Sequence, residues 1–133
     1  MNTELMFSHI SDDWKTPEDL YDGLNKEFNF NFDPCPLECD FDGLNLNWRK
    51  RVFVNPPYSN VKNFMYKAIS ELALGNSDVV VFLVPSRTDT KWFHNIVMNF
   101  AKEVRFIKGR LKFGDHKNSA PLPSMIIVFG SKK

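Results

Sequence analysis

The stretch Val79-Val80-Val81-Phe82-Leu83-Val84 is an uninterrupted apolar run, and most of its residues are β-branched. Pro85 follows it, and a proline has no N–H to continue a β-ladder. A strand with one face in solvent alternates apolar and polar residues, whereas a continuous apolar run is typical of a strand covered on both faces. The run therefore predicts a central strand with helices on each side of the sheet.

Shorter strands and two amphipathic helices flank this central strand. A helix is predicted from Ser59 or Asn60 to Gly75, because apolar residues recur there at helical spacing, and another over Thr90–Ala101. The remaining strands are predicted at Phe28–Phe32, Arg51–Val54, Val104–Ile107, Arg110–Phe113 and Met125–Phe129. Strands that alternate with helices predict an α/β fold, a three-layer sandwich with a mainly parallel central sheet that becomes antiparallel towards its C-terminal edge.

The composition limits the chain to one ordinary globular unit. With 133 residues and 43% hydrophobic content, we expect a single domain over residues 1–133, with a flexible segment at 1–12. No apolar run long enough to cross a bilayer is present, so we expect a cytoplasmic protein that does not bind a membrane. Cys35 and Cys39 are expected to be reduced thiols, and their spacing does not match a zinc site, so no metal is expected. A monomer is the default expectation.

The charges are divided unevenly along the chain. Up to Leu44 there are eleven acidic and two basic residues, and from Asn45 onward there are five acidic and fifteen basic residues. A basic later part suits a polyanionic partner such as a nucleic acid. The alternative is that both kinds of charge intermix on the folded surface and cancel, because order along the chain is not order on the surface.

The tetrapeptide Asn55-Pro56-Pro57-Tyr58 directly follows the strand at Arg51–Val54. The exocyclic amino group of a base is a poor nucleophile because its lone pair is delocalised into the ring. The side-chain oxygen of Asn55 and the carbonyl of Pro56 can accept its two N–H groups, and Pro57 helps to hold that carbonyl in place. Tyr58 can stack on an unpaired or flipped base. The motif favours methylation of an amino group; a simple strand-ending turn is the alternative.

Several polar residues follow strand ends, where ligands bind in parallel α/β sheets. Asp33 ends the predicted strand at Phe28–Phe32, Asn55 ends the next strand, and Arg87 lies just beyond Pro85. We therefore expect them to cluster. Upstream, Thr16-Pro17 predicts the start of another helix, with Thr16 as N-cap and Pro17 at the first helical position.

Together, these stretches resemble the phage-type DNA N6-adenine methyltransferases, small members of the DNA adenine methylase group. The resemblance covers roughly residues 13–130, and its motifs occur in the same order. The matching stretches are Trp14–Pro17, Phe32–Pro34, Asp42–Leu44, Asn55–Ser59, Pro85–His94, Gly109–Phe113 and Ser119–Ser124. The resemblance implies a trimmed Rossmann-like methyltransferase core that binds S-adenosylmethionine and methylates adenine N6 in double-stranded DNA, with the target adenine flipped out of the duplex.

The resemblance also implies roles for individual residues. The positions expected to contact the methyl donor are Thr16, Pro17, Asp33, Pro34 and Asp42. For Thr16 and Asp42 a purely structural role stays open, as a helix cap and as part of a turn with Gly43. Basic residues interleave with aromatic residues in the later part of the chain, and those expected to contact nucleic acid are Arg87, Lys91, Arg110 and Lys112.

One departure from the methyltransferase pattern concerns the donor site. No glycine-rich loop follows Asp33, and residues 34–51 are too few for the two further strands and helices of a full fold. A ribose-binding acid is therefore not identifiable. The open alternatives are an enzyme that methylates amino groups of RNA or protein, and a non-catalytic nucleic-acid-binding module that has lost affinity for the donor.

Overall fold

The computed structural model describes residues 15–36, 39–111 and 122–132. In chain order its main elements are α1 (Glu18–Phe28), β1 (Arg51–Val54), α2 (Val61–Ala73), β2 (Val79–Pro85), α3 (Met98–Phe100), β3 (Glu103–Phe106) and β4 (Ser124–Gly130). A 3-10 turn at Tyr58–Asn60 precedes α2, and a π-helical segment at Phe93–Val97 leads into α3. The expectation about residues 1–12 lies outside the described residues.

The four named strands form one sheet in the order β1-β2-β4-β3. β1 pairs with β2 in parallel, with Arg51 opposite Val79. β4 lies between β2 and β3 and is antiparallel to both. It follows that β1, β2 and β3 run in one direction and that, among these four strands, β4 is the reversed one. The predicted parallel sheet with antiparallel pairing towards its C-terminal edge is confirmed.

Helices cover both faces of the sheet, as the apolar run in β2 predicts. Every residue of β2 is buried. On one face, Val79, Val81 and Leu83 pack in a cluster with Leu24 and Phe28 of α1. On the opposite face a second cluster combines β2 with α2 and the π-helical segment, through Val80, Phe82, Val84, Phe64, Met65, Ile96 and Val97. The α/β three-layer architecture is therefore confirmed.

The predicted strand at Phe28–Phe32 is wrong over most of its length. Helix α1 continues to Phe28, and Asn29 then adopts a left-handed conformation with φ of 54°. Within the segment only Phe32 forms a β-bridge, in parallel with Val52, and the preceding Asn31 N–H donates to the carbonyl of Arg51 at 2.8 Å. Phe28 and Phe30 do share a face, because they stack at 5.9 Å, but they belong to a helix end and a connecting segment. Phe32 packs against the cluster on the opposite face of the sheet. A left-handed residue in the middle of the alternation explains why periodicity misled the prediction.

Two smaller predictions also need correction. Helix α1 starts at Glu18 with Pro17 in the N-cap position, and no side chain caps it, so Thr16 is not the N-cap. Arg110 and Leu111 lie outside any strand, while residues 112–113 are not described.

The strand directions bring several chain segments to one edge of the sheet. The carboxyl ends of β1, β2 and β3 meet there, and the reversed β4 begins there. Backbone hydrogen bonds join these ends, since Ser86 N–H donates to the carbonyl of Pro123 at 2.7 Å and Ile107 N–H to that of Ser124 at 3.1 Å. We call this side of the sheet the carboxyl edge. No helix in the described parts of the chain combines the length and apolar character that a membrane span requires.

Candidate active site

Asn55 lies at the carboxyl edge, immediately after β1, and its side chain is held by a residue from the start of the described chain. Its Nδ2 donates a hydrogen bond to Thr16 Oγ1 at 3.0 Å. A carboxamide is planar, so a nitrogen fixed on Thr16 turns the oxygen away from Thr16. Thr16 therefore orients Asn55 instead of capping α1, and this contact joins two of the residues predicted from the sequence.

The two prolines and Tyr58 continue from Asn55 into the 3-10 turn. The turn is closed by a hydrogen bond from Asn60 N–H to the carbonyl of Pro57 at 2.9 Å. Pro56 is buried, and Tyr58 is half-buried. The ring of Tyr58 packs against the cluster on the α1 face, and burial raises the pKa of its hydroxyl. Tyr58, the last residue of the motif, thus presents a neutral ring that is packed against the protein.

Asp33 stands beside β1, where the short strand segment at Phe32 ends. Its Oδ1 accepts a hydrogen bond from Cys35 N–H at 2.9 Å, which holds the chain in a tight turn. Burial raises the pKa of Asp33 to about 6, although the hydrogen bond from Cys35 acts in the opposite direction. The pKa of Tyr21 is raised as well, first by burial and then by the negative charge of Asp33. A partly buried carboxylate without a cationic partner in the described chain suits a positively charged ligand group.

A cleft of about 360 Å³ opens between the segment after Asp33 and the start of α2. This volume lies in the range of small-molecule sites. One wall consists of Pro34, Cys35, Pro36, Cys39, Phe41, Asp42, Gly43 and Leu44, and the other of Asn55, Pro57, Asn60 and Phe64. Four predicted site residues therefore line the same cleft: Pro34, Asp42, Asn55 and Pro57.

Asp42 organises the first wall. Its Oδ1 accepts from Leu44 N–H at 3.0 Å and its Oδ2 from Asn45 Nδ2 at 2.7 Å. Asp42 is exposed and lines the cleft, so the structure gives it the turn-forming role considered for it and also places it beside the candidate ligand site. Gly43 allows the wall to close, because a Cβ at this position would lie 1.8 Å from the carbonyl oxygen of Pro34. No other residue type fits this approach.

Glu71 supports the same wall from the core and was not identified from the sequence. Its side chain is 1% exposed, and its Oε1 accepts from Trp48 N–H at 2.6 Å. Trp48 in turn donates from Nε1 to the carbonyl of Gly43 at 2.7 Å. Lys67 pairs with Glu71 at 3.3 Å, and Asn76 Nδ2 donates to its Oε2 at 2.7 Å. A glutamate at an apolar position of the α2 pattern was the available signal.

Three of the four basic residues expected to contact nucleic acid are described, and they lie at or near the carboxyl edge. Arg87 follows β2, and its guanidinium binds Asp89 at 3.1 Å. Lys91 is exposed, one residue after Thr90, whose hydroxyl accepts from Phe93 N–H at 3.2 Å. Arg110 is exposed beyond the end of β3. Lys112 lies outside the described residues.

Arg105, another basic residue of the later part of the chain, is engaged elsewhere. Its guanidinium donates to both carboxylate oxygens of Glu27 and also to Glu103. It lies over the ring of Phe28, 5.6 Å from the centroid. These contacts raise the pKa of Arg105. Arg105 therefore ties the edge strand β3 to α1 and does not contribute a free cation to the carboxyl edge.

Comparisons with known proteins identify the family of this chain. The sequence profile of a family described as DNA N-6-adenine-methyltransferase (Dam) matches residues 5–131. A DNA N-6-adenine-methyltransferase of Haemophilus phage HP1 (strain HP1c1) is 32% identical over 138 aligned residues, which cover 90% of this chain and 79% of the phage protein. Among solved structures, a Pyrococcus horikoshii protein proposed to be an RNA methyltransferase is similar, with a TM-score of 0.49 and 17% identity; 88% of this chain matches 60% of that protein.

The profile match spans nearly the whole chain, and the phage protein aligns over most of its own length. The family predicted from the sequence motifs is therefore confirmed: this chain belongs to the DNA N-6-adenine-methyltransferase (Dam) family, the class of adenine-specific DNA methyltransferases.

Proposed function

We propose that this chain transfers a methyl group from S-adenosylmethionine to the N6 amino group of adenine in double-stranded DNA, at the carboxyl edge of its sheet. One observation carries the proposal. Asn55 emerges from the end of a buried strand beside a ligand-sized cleft, and Thr16 Oγ1 fixes its carboxamide at 3.0 Å. An amino group needs oriented acceptors, and an amide held on its nitrogen side presents an oriented oxygen.

The chain's own residues act on the amino group by position and electrostatics. The Oδ1 of Asn55 accepts one N–H of the target amino group, and the carbonyl of Pro56 accepts the other. Two acceptors draw the nitrogen towards a pyramidal geometry, in which its lone pair leaves the ring system. Pro57 carries the hydrogen bond of the following turn, with Asn60, so the turn limits movement of Pro56. Preorganised acceptors of this kind lower the barrier without a general base.

Residues beside the cleft and on its walls fit the methyl donor chemically; Asp33 directly precedes the wall residue Pro34. Asp33 offers a carboxylate for the ammonium of its methionine end, and a cation bound there favours the ionised form of Asp33. We assign Thr16, Pro17, Pro34 and Asp42 to the surroundings of the donor, with Asp42 at the cleft itself. When bound, the sulfonium of S-adenosylmethionine supplies an electrophilic methyl group.

The target base and its duplex are assigned to the same edge. A base inside a duplex cannot reach Asn55, so the adenine has to be flipped out, and Tyr58 stacks on the extruded ring. Tyr58→Phe should keep the rate of methylation within about threefold of the unmodified protein, whereas Tyr58→Ala should lower the rate more strongly because the ring itself is lost.

The DNA phosphates are assigned to four basic residues, Arg87, Lys91, Arg110 and Lys112.

The experiment uses labelled S-adenosylmethionine with duplex DNA, RNA and host protein in separate reactions. We expect label in the N6 position of adenine in DNA, and loss of that label with Asn55→Ala. Asn99→Ala is the matched control, because Asn99 is exposed and bonds only to the carbonyl of Asn95 within the described chain. Label in RNA or protein alone would overturn the proposal, as would DNA binding by a protein that binds no donor, the behaviour of a non-catalytic module.

A further inference from the structure

Asn60 lies on the second wall of the cleft and is not explained by the methyl-transfer chemistry of the motif. It is half-buried, and it faces the ligand space together with Asn55 and Phe64. Its backbone closes the 3-10 turn through the carbonyl of Pro57. Its side chain is therefore the part of Asn60 whose role is open.

The side chain of Asn60 does not serve as a helix cap. Asn60 holds the N-cap position of α2, where an asparagine oxygen commonly accepts from the first backbone N–H groups, yet no side-chain cap bond is present. Instead, Oδ1 of Asn60 accepts a hydrogen bond from Nδ2 of Asn63 at 2.7 Å. Asn63 is exposed and is not part of the cleft wall.

This hydrogen bond fixes the direction of the amide. With the oxygen of Asn60 held by Asn63, the planar geometry turns Nδ2 away from Asn63. Within the described chain no acceptor bonds to this Nδ2. The side chain of Asn60 is thus oriented by a residue outside the cleft wall, and its Nδ2 has no protein acceptor in the described chain. Such a donor is suited to an acceptor atom of a ligand in the cleft.

The chemistry of the surrounding walls selects the part of the ligand. Phe41, Leu44 and Phe64 offer apolar surface on both sides of the cleft, which suits a flat heteroaromatic ring. The charged ends of a methyl donor would instead require ionic partners such as Asp33. Asparagine is the residue that commonly pairs with adenine, with its NH2 donating to a ring nitrogen.

We propose that Asn60 donates a hydrogen bond from Nδ2 to a ring nitrogen of the methyl donor's adenine, so that the first turn of α2 recognises the nucleoside half. The inference rests on the proposed function, because it assumes that the cleft holds S-adenosylmethionine. It also supplies a nucleoside contact in a chain whose segment between Asp33 and Arg51 has no room for the usual second strand.

Calorimetry with the stable product S-adenosylhomocysteine, and with analogues in which single adenine ring nitrogens are replaced by carbon, tests the proposal. We expect Asn60→Ala to weaken binding of S-adenosylhomocysteine roughly fivefold to tenfold, the worth of one hydrogen bond. The analogue that lacks the ring nitrogen bonded by Asn60 should bind the unmodified protein more weakly than S-adenosylhomocysteine does, by a similar factor. Asn60→Ala should bind that analogue and the parent compound equally.

A second substitution separates the donor role from packing. Asn60→Asp preserves shape and an acceptor for Asn63, and its charge favours the start of α2, but it removes the N–H donor. It should lose affinity at least as strongly as Asn60→Ala, while Asn99→Ala binds normally. The inference would be overturned if Asn60→Ala weakened binding of S-adenosylhomocysteine and of every analogue by the same factor. Normal affinity of Asn60→Asp for S-adenosylhomocysteine would also overturn it.

The outcome can be distinguished from failure of the proposed function. If the unmodified protein neither binds S-adenosylhomocysteine nor methylates DNA, both the function and the role of Asn60 are wrong. If the unmodified protein binds and methylates normally but Asn60→Ala keeps full affinity for S-adenosylhomocysteine, the role of Asn60 alone is wrong.

Discussion

At the scale of single residues, the site depends on side chains that are oriented by hydrogen bonds to neighbouring residues. Asn55 is held by Thr16, and Asp33 is held by the backbone of Cys35. Each hydrogen bond is worth only about 1 kcal/mol, so the effect of removing one should be seen in function more than in folding. Both contacts can be tested with conservative substitutions.

Thr16→Val removes the hydroxyl that accepts from Asn55 while retaining the shape of the side chain. We expect kcat for DNA methylation to fall about tenfold with little change in the KM for DNA, because the amide loses orientation and not its contact surface. Thr16→Ser keeps an acceptor and should restore most of the activity. Equal kcat values for the valine and serine variants would contradict the positioning role.

Asp33 predicts a particular dependence of stability on pH. Its pKa in the folded protein, about 6, lies above the ordinary value of 3.8. Its favourable contribution is therefore fully present below the ordinary value and is lost as the pH rises through about 6. Asp33→Asn cannot titrate, so its stability relative to the unmodified protein should increase by about 1–3 kcal/mol between about pH 5 and about pH 8. Denaturant unfolding at both pH values measures this, and a constant difference would contradict the shift.

At the scale of elements, the segment from Cys39 to Asn45 contributes much of one wall of the cleft. It has no helix or strand of its own in its described residues. The turn around Asp42, the close approach of Gly43 to Pro34 and the link through Trp48 to Glu71 hold it in place. The position of this cleft wall therefore depends on these few contacts.

Gly43→Ala should disrupt this wall, because its Cβ would lie 1.8 Å from the carbonyl oxygen of Pro34. We expect loss of about 1–3 kcal/mol of unfolding free energy and more than about tenfold weaker binding of S-adenosylhomocysteine. Gly75→Ala is the matched control. Gly75 has a φ of +80° but no atom near its Cβ position, so alanine there should cost about 1 kcal/mol and leave binding unchanged. Similar binding losses in both variants would refute a local effect.

Glu71 couples α2 to the same wall, and its loss should be seen in stability. Burial alone would raise its pKa, but hydrogen bonds from Asn76, Trp48 and Lys67 outweigh this and lower it below the ordinary 4.5. Its contribution is therefore present above that value and is lost as the pH falls further. Glu71→Gln should cost about 2–3 kcal/mol near neutral pH, measured by denaturant unfolding. The cost should shrink in acid; a cost that stayed constant with falling pH would count against an ionised Glu71.

At the scale of the whole molecule, the described cations assigned to DNA, which are Arg87, Lys91 and Arg110, lie on the same side of the sheet as the candidate site. Strand direction produces this arrangement, since β1, β2 and β3 all end at the carboxyl edge. Arg105, although it lies in the basic part of the chain, is removed from that set by Glu27 and Glu103. Sequence order alone does not separate basic residues available to DNA from a basic residue that is paired with carboxylates.

Lys91→Ala and Arg110→Ala should each weaken DNA binding uniformly across sequences. Each should also reduce the slope of log affinity against log salt concentration by about one, because each removes one phosphate contact. Lys50→Ala is the control, since Lys50 lies just before β1 at the opposite edge and donates to the carbonyl of Gly75 at 2.8 Å. Fluorescence anisotropy over a salt series measures the slopes. An equal change in the Lys50 variant would show that the effect is not local.

Much of the fold could be predicted from the sequence because its signals are local. The apolar run from Val79 to Val84 identifies the central strand, and the helical spacing after Asn60 identifies α2, since both depend on how neighbouring residues share a face. The motif at Asn55 and its position after a strand were also readable. Local alternation failed at Phe28–Phe32, where one left-handed residue, Asn29, ends a helix inside an apparent strand.

Local sequence patterns were enough to identify the family, the three-layer architecture and most of the residues that can carry the chemistry. Which side chains meet, and which residues outside the predicted set support them, became clear from the folded chain. Thr16 contacts Asn55 across 39 positions of sequence, Glu71 reaches Trp48 across 23, and Asn60 shares a cleft with Asp42. Such contacts follow from strand order and direction, in particular from the parallel pairing of β1 with β2 and of Phe32 with Val52. The physical reason is that periodicity specifies the face a side chain occupies, whereas its partner across that face is fixed by chain topology.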